Sequence, residues 1–173
     1  MDNIKILYDK NTLYEKIKQT ADKINSSYST DKILNLICVL KGGVMFLTEL
    51  AKHLKMPVKM EFVTLSSYGN SKTSTGEIKP HNLNLRKFEN ENILIVEDII
   101  DTGYTLEFLV NYLKQNSSNS DIKIAVLLDK KCARKVNISP DFNAFEIDNK
   151  FIVGFGLDYQ GLYRNLDYIG YID

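Results

Sequence analysis

The sequence predicts an open α/β fold: a mainly parallel central sheet flanked by helices, built as one domain. Three observations predict it. Apolar runs of buried-strand length alternate with amphipathic helical patterns between residues 35 and 128. The connections between them are short, as crossovers in such sheets are. The residues of unusual chemistry, Lys41-Gly-Gly43, Ser67-Tyr68, Glu97 to Thr105 and Asp129-Lys130, all fall where a strand-like run ends. That is the edge at which open α/β sheets bind ligands.

Leu13, Ile17, Ala21, Ile24 and Tyr28 recur at helical spacing, so residues 11–28 read as an amphipathic helix. Asn35-Leu-Ile-Cys-Val-Leu40 reads as a buried strand. Lys41-Gly-Gly43 breaks it, and Val44, Leu47, Ala51 and Leu54 give the next helix one apolar face. Pro57 closes that helix and opens a strand in which Val58, Met60, Phe62 and Thr64 alternate as a buried face. Residues 66–90 are polar without a sustained apolar period, which suits a lid, a binding loop or disorder. Order returns with a strand at 93–96 and a helix carrying Leu106, Leu109, Val110 and Leu113. A turn-rich stop at 115–121 leads to a strand at 122–128, and short strand-like pieces follow at 142–147 and 151–153.

A chain of 173 residues can bury a real core in one domain. Lys+Arg and Asp+Glu number 22 each, so no global basic field draws in nucleic acid. No uncharged apolar run approaches the roughly 20 residues that span a bilayer. The opening Met-Asp-Asn-Ile-Lys has neither a basic nor an apolar signal region, so a cytoplasmic protein is expected. Cys38 and Cys132 are too few for a zinc or disulfide framework, and Cys38 reads as a small core residue.

The chemistry concentrates in Ile93-Leu-Ile-Val-Glu-Asp-Ile-Ile-Asp-Thr-Gly-Tyr-Thr105. An apolar strand runs into Glu97 and Asp98, Asp101 follows, and Thr-Gly-x-Thr opens a helix. Ionised groups at the end of a buried strand are costly unless a ligand, metal or donor compensates them. A glycine with small hydroxyl residues at a helix start presents N–H groups suited to a phosphate. Acceptors for hydroxyls or a metal thus lie beside donors for a phosphate, a combination that asks for a sugar phosphate. An N-cap and turn with solvated acids would explain Asp101 or Thr102, but not three acids crowded behind Ile-Leu-Ile-Val.

This stretch resembles the phosphoribosyl-pyrophosphate (PRPP) motif of type I phosphoribosyltransferases, and Glu97-Asp-Ile-Ile-Asp-Thr-Gly103 in particular resembles the hypoxanthine–guanine phosphoribosyltransferases. The resemblance covers roughly residues 35 to 170 and is weakest between 70 and 90. It implies the type I fold, with a core over roughly residues 11–137 and a small hood over the carboxyl ends of the strands. The hood would come from the N-terminal segment and roughly 138–173. It implies Mg2+-dependent transfer of phosphoribose from PRPP to hypoxanthine or guanine, giving IMP or GMP and pyrophosphate.

By the same resemblance, Leu40, Lys41, Gly42 and Gly43 form a pyrophosphate loop with a cis peptide before the lysine, and Ser67 and Tyr68 belong to a catalytic lid. Glu97 and Asp98 hold ribose hydroxyls and metal, Asp101 is the general acid/base at purine N7, and Thr102, Gly103, Tyr104 and Thr105 cradle the 5′-phosphate. Lys130 donates to the exocyclic oxygen, Phe151 stacks on the base, and the Ile152 backbone meets its edge. Asp158 assists a second metal ion, and Arg134 and Arg164 belong with pyrophosphate. Relatives form homodimers or homotetramers.

Other readings of the motif are a regulatory PRPP-binding module, an adenine- or pyrimidine-specific relative, and a non-catalytic scaffold. Neutral net charge and retention of Lys41-Gly-Gly43, Asp101 and Asp158 oppose the first. The Lys130 and Phe151 segments oppose the second through resemblance, and the acidic triple opposes the third.

Overall fold

A computed structural model describes residues 4–67, 78–83 and 85–172. In chain order the elements are β1 (Lys5–Tyr8), α1 (Lys10–Ser27), β2 (Leu34–Leu40), α2 (Val44–Ala51), β3 (Val58–Ser67), β4 (Ile78–Asn82), β5 (Phe88–Glu89), β6 (Asn92–Ile100), α3 (Tyr104–Asn116), β7 (Ser117–Ser118), β8 (Asp121–Asp129), a 3-10 turn (Lys131–Ala133), β9 (Phe142–Glu146), β10 (Phe151–Val153) and β11 (Ile169–Ile172). The central sheet has the order β4-β3-β2-β6-β8-β9. All its strands pair parallel except β4, which is antiparallel to β3. A second, antiparallel sheet joins β1, β11 and β10.

Local chemistry sets these elements. Asp9 starts α1 because its carboxylate accepts the Thr12 N–H at 2.8 Å. Leu13, Ile17, Ala21 and Ile24 of α1 and Phe46, Leu47 and Leu50 of α2 pack with Leu36, Cys38, Leu94 and Val96 of the sheet. The alternate residues Ile37, Val39, Ile93 and Ile95 pack with Leu106, Leu109 and Leu113 of α3. Burial on both faces is why β2 and β6 read as continuous apolar runs. Asn35, polar yet buried in β2, donates at 3.0 Å to both Asn92 O and Glu91. Arg86 grips Glu91 with both arms, at 2.5 and 2.6 Å, and also donates to Asn35. These hydrogen bonds hold the Glu91 carboxyl down at about 2 and close the amino edge of the sheet.

Four sequence expectations need correction. Met60 and Phe62 of β3 are exposed, while Val63 and Leu65, of opposite parity, pack against the α3 side. Alternation on β3 was real, but its apolar pattern did not say which face was covered. The polar stretch 66–90 is not wholly irregular: β4 adds to β3, and β5 pairs with β7. β6 runs on to Ile100, so Glu97 and Asp98 lie within the strand rather than after it. β9, placed with the hood by a boundary near 137, is the edge strand of the central sheet. The strands β1 and β11 went unseen because each is only four residues long and finds its partner across the whole chain.

Among the described residues no helix is long and apolar enough to cross a membrane. The two faces of β3 and the buried β6 should respond differently to substitution. Ile95→Ala is expected to lower the unfolding free energy by about 2–5 kcal/mol, as a cavity in a sealed core does. Phe62→Ser should cost no more than about 1 kcal/mol, which urea denaturation of both variants would measure.

Candidate active site

β2 and β6 pair only as far as Cys38 and Val96. Beyond that point β2 ends at Leu40 while β6 continues to Ile100 against β8 alone. The turn at 41–43 therefore stands beside the last third of β6. The Leu40–Lys41 peptide is cis, as the resemblance implied. Gly42 backs directly onto Asp98: a Cβ there would overlap the Asp98 carboxylate. The Gly42 carbonyl in turn touches Gly156, where a Cβ would collide with it. Lys41 itself is exposed.

Glu97 is 7% and Asp98 9% exposed. The Ile99 N–H donates to Asp98 Oδ1 at 2.8 Å. Among the described residues no lysine or arginine forms an ion pair with either acid. Burial, then the adjacent Asp98, pushes the Glu97 carboxyl well above the usual carboxylate range. Burial raises Asp98 too, against the opposing pull of Glu97, the Ile99 N–H and the charge of Arg164. Acids held this way suit a hard cation. No three His, Cys, Asp or Glu side chains gather among the described residues, so Asp158 does not complete a cage with them. That donor set fits Mg2+, which binds one or two carboxylates and takes its other ligands from water and phosphate.

Past β6 the chain turns at Gly103, whose φ of 91° suits a residue without a side chain. Gly103 O accepts the Glu107 N–H at 2.9 Å, the first bond of α3, and no side chain caps the helix start. The N–H groups of Tyr104, Thr105 and Leu106 are left for an anion.

Asp101 is exposed beside this turn, with Lys130 Nζ 3.9 Å from its carboxylate. Lys130, largely covered, also donates to Lys150 O at 3.3 Å, one peptide from Phe151. Phe151 is 53% exposed, and Tyr159 meets its ring edge-on at 5.4 Å. The Ile152 side chain is core, and its backbone pairs with Tyr171. Asp158 forms an ion pair with Arg164 and accepts the Gly161 N–H at 2.7 Å. Arg164 also donates to Gly156 O.

The structure thus brings Lys41 to Gly43, Glu97, Asp98, Asp101 to Thr105, Lys130, Phe151, Asp158 and Arg164 to the carboxyl edge of the central sheet and the segment packed on it. Ser67 ends β3 with its backbone paired to Ile78, and Tyr68 lies outside the described residues. Arg134 is the exception. Expected at pyrophosphate, its guanidinium is instead turned inward to Asp129 at 2.5 Å and to the carbonyls of Ile100, Asp101 and Ile138. The reason is Asp129, a buried acid at the end of β8 that needs a counter-charge. Sequence reading placed Asp129 at a strand end without giving it a partner. Its signal was an acid closing the run Ile-Ala-Val-Leu-Leu.

Residues 3–160 match the model of the phosphoribosyl transferase domain. The chain belongs to the phosphoribosyltransferase family. Among its relatives, the hypoxanthine-guanine phosphoribosyltransferase of Bacillus subtilis is 43% identical over 96% of this chain and 91% of its own. That of Streptococcus pyogenes is 44% identical with the same coverage. The crystal structure of a hypoxanthine-guanine phosphoribosyltransferase from Bacillus anthracis superposes with a TM-score of 0.91 at 35% identity, covering 99% of this chain and 100% of that one. A hypoxanthine phosphoribosyltransferase from Staphylococcus aureus gives 0.90 at 33%, covering 98% and 91%.

The acid pair has a pH signature. A carboxyl raised on folding favours the folded state below its unfolded value, about 4, and loses that contribution as pH rises through its folded value. Glu97→Gln should therefore melt higher than the parent protein near pH 8 without ligand, the difference closing as pH falls toward about 4. Thermal scans across that range would show it, and a constant difference would remove Glu97 as its source.

Proposed function

We propose that this chain transfers the 5-phosphoribosyl group of PRPP to hypoxanthine and guanine, releasing pyrophosphate and yielding IMP or GMP for purine salvage. The observation that carries this reading is Asp101 and Lys130, 3.9 Å apart, with Lys130 also donating to the Lys150 carbonyl one residue before the half-exposed Phe151. An acceptor, a donor and a stacking surface together suit a 6-oxopurine. The names of the relatives support the same acceptors.

In this reading Lys130 donates to the 6-oxo group, which adenine lacks, and Phe151 stacks on the base while Tyr159 braces its ring. The Ile152 backbone and Asp158 meet the base edge. Asp101 exchanges a proton with N7, a step worth roughly 10²–10⁴-fold. Thr102 to Thr105 cradle the 5′-phosphate through their backbone N–H groups, and Glu97 and Asp98 accept from the ribose hydroxyls. The same two acids would hold Mg2+, with Asp158 serving a second ion, and the metal supplies charge neutralisation of the departing pyrophosphate. Lys41 to Gly43 and Arg164 bind that pyrophosphate. Ser67 and Tyr68 exclude water as part of a lid, since an electron-poor ribosyl carbon is open to hydrolysis. The whole chain acts as one catalytic domain with the β1-β11-β10 sheet as hood. The working protein is a cytoplasmic homodimer or homotetramer.

Nucleotide formation from PRPP and Mg2+, with hypoxanthine, guanine, xanthine and adenine offered separately, tests the assignment. Turnover with hypoxanthine and guanine and none with adenine is expected. PRPP binding without turnover on any base would favour a regulatory module instead. Asp101→Asn should keep PRPP affinity while losing most of kcat, and an unchanged kcat would take Asp101 out of the proton transfer.

A further inference from the structure

Arg134 and Asp129 do more than neutralise one another. The pair is enclosed, with the arginine side chain 14% and the aspartate 2% exposed. The same guanidinium donates from Nε to Asp101 O at 3.1 Å and from Nη2 to Ile100 O at 3.4 Å. Its chain neighbours complete the set: the Lys130 N–H donates to Ile100 O at 3.0 Å, and the Lys135 N–H to Thr102 O at 2.9 Å. Three consecutive carbonyls, those of Ile100, Asp101 and Thr102, are thus held by residues 130–135. The Arg134 side-chain stem also packs against Gly103, where a Cβ would press on Arg134 Cδ.

In a trans peptide the C=O and the following N–H point in opposite directions. Leu40–Lys41 is the cis bond of the described chain, so the peptides of this turn are trans. Holding the Ile100, Asp101 and Thr102 carbonyls on the Arg134 side therefore turns the N–H groups of Asp101, Thr102 and Gly103 to the other side. Those N–H groups adjoin the uncapped start of α3 and extend its anion-binding donors. We infer that the Asp129–Arg134 pair is a positioning device that presets the 5′-phosphate cradle from behind. It acts through backbone carbonyls, and Asp129 acts through Arg134. The inference rests on the reading of Thr102 to Thr105 as the phosphate site.

Arg134→Lys and Asp129→Asn test it, with steady-state kinetics, PRPP titration and melting temperature measured on each. Lysine keeps a charge for Asp129 but loses the planar fork that reaches several carbonyls. Arg134→Lys is expected to raise both KM and Kd for PRPP about tenfold, the size of one well-aimed hydrogen bond lost from a phosphate. KM for hypoxanthine should stay near the parent value. Asp129→Asn, which keeps shape and a hydrogen-bond acceptor, should give a smaller rise in the same direction, and it carries the test alone if Arg134→Lys does not fold. Unchanged PRPP affinity in the folded variants, or equal movement of both KM values, would reduce the pair to packing and overturn the inference. A parent protein that binds PRPP but converts no purine would sink the assigned reaction instead, leaving the PRPP titrations to decide the role of the pair.

Discussion

Glu97 and Asp98 sit on a strand that has lost one neighbour. β2 departs after Leu40, the 41–43 turn comes back against the bare flank of β6, and Gly42 meets the Asp98 carboxylate with no side chain between. Two acids are thereby kept largely out of water, with no ion pair to either among the described residues, a condition a folded chain sustains because the rest of the sheet is sealed on both faces. The free energy of the core holds a site that is electrostatically unfavourable when empty. Burial holds both carboxyls above the usual carboxylate range, so any affinity of the pair for a cation and its cost to the fold would share one origin.

The fold was largely legible because its physics is local and repetitive. Leu13 to Ile24 and Leu106 to Leu113 announce helices by spacing, and β2, β6 and β8 announce themselves by unbroken apolar runs. What escaped depends on partners distant in sequence. The face of β3 could not be chosen from Met60 and Phe62, since both parities carry apolar residues and tertiary packing decides between them. β1 and β11 exist because residues 5–8 and 169–172 meet from opposite ends of the chain.

The candidate site divides in the same way. The acids and the glycines stand out in the sequence as residue types that interrupt or follow apolar runs, whereas the role expected of Lys130 comes from the resemblance. Arg134 shows the limit of that reasoning. The resemblance implied a pyrophosphate ligand there, and its depth and its partner Asp129 make it part of the frame. Asp129 itself looks like an ordinary strand terminator until its 2% exposure is known. Charge type is written in the sequence, whereas the direction a charge faces is a property of the packed structure.

The contact between Gly42 and Gly156 has a bearing on evolvability. The two segments meet backbone to backbone, and the obstruction at 156 is a main-chain carbonyl that no rotamer change can move aside. Such a seam offers no graded sequence of tolerated steps, so neighbouring positions must carry whatever diversification the site undergoes. A library meant to redirect this scaffold to another acceptor base would leave 42 and 156 untouched and draw its variety from side chains that face solvent, such as the half-exposed Phe151.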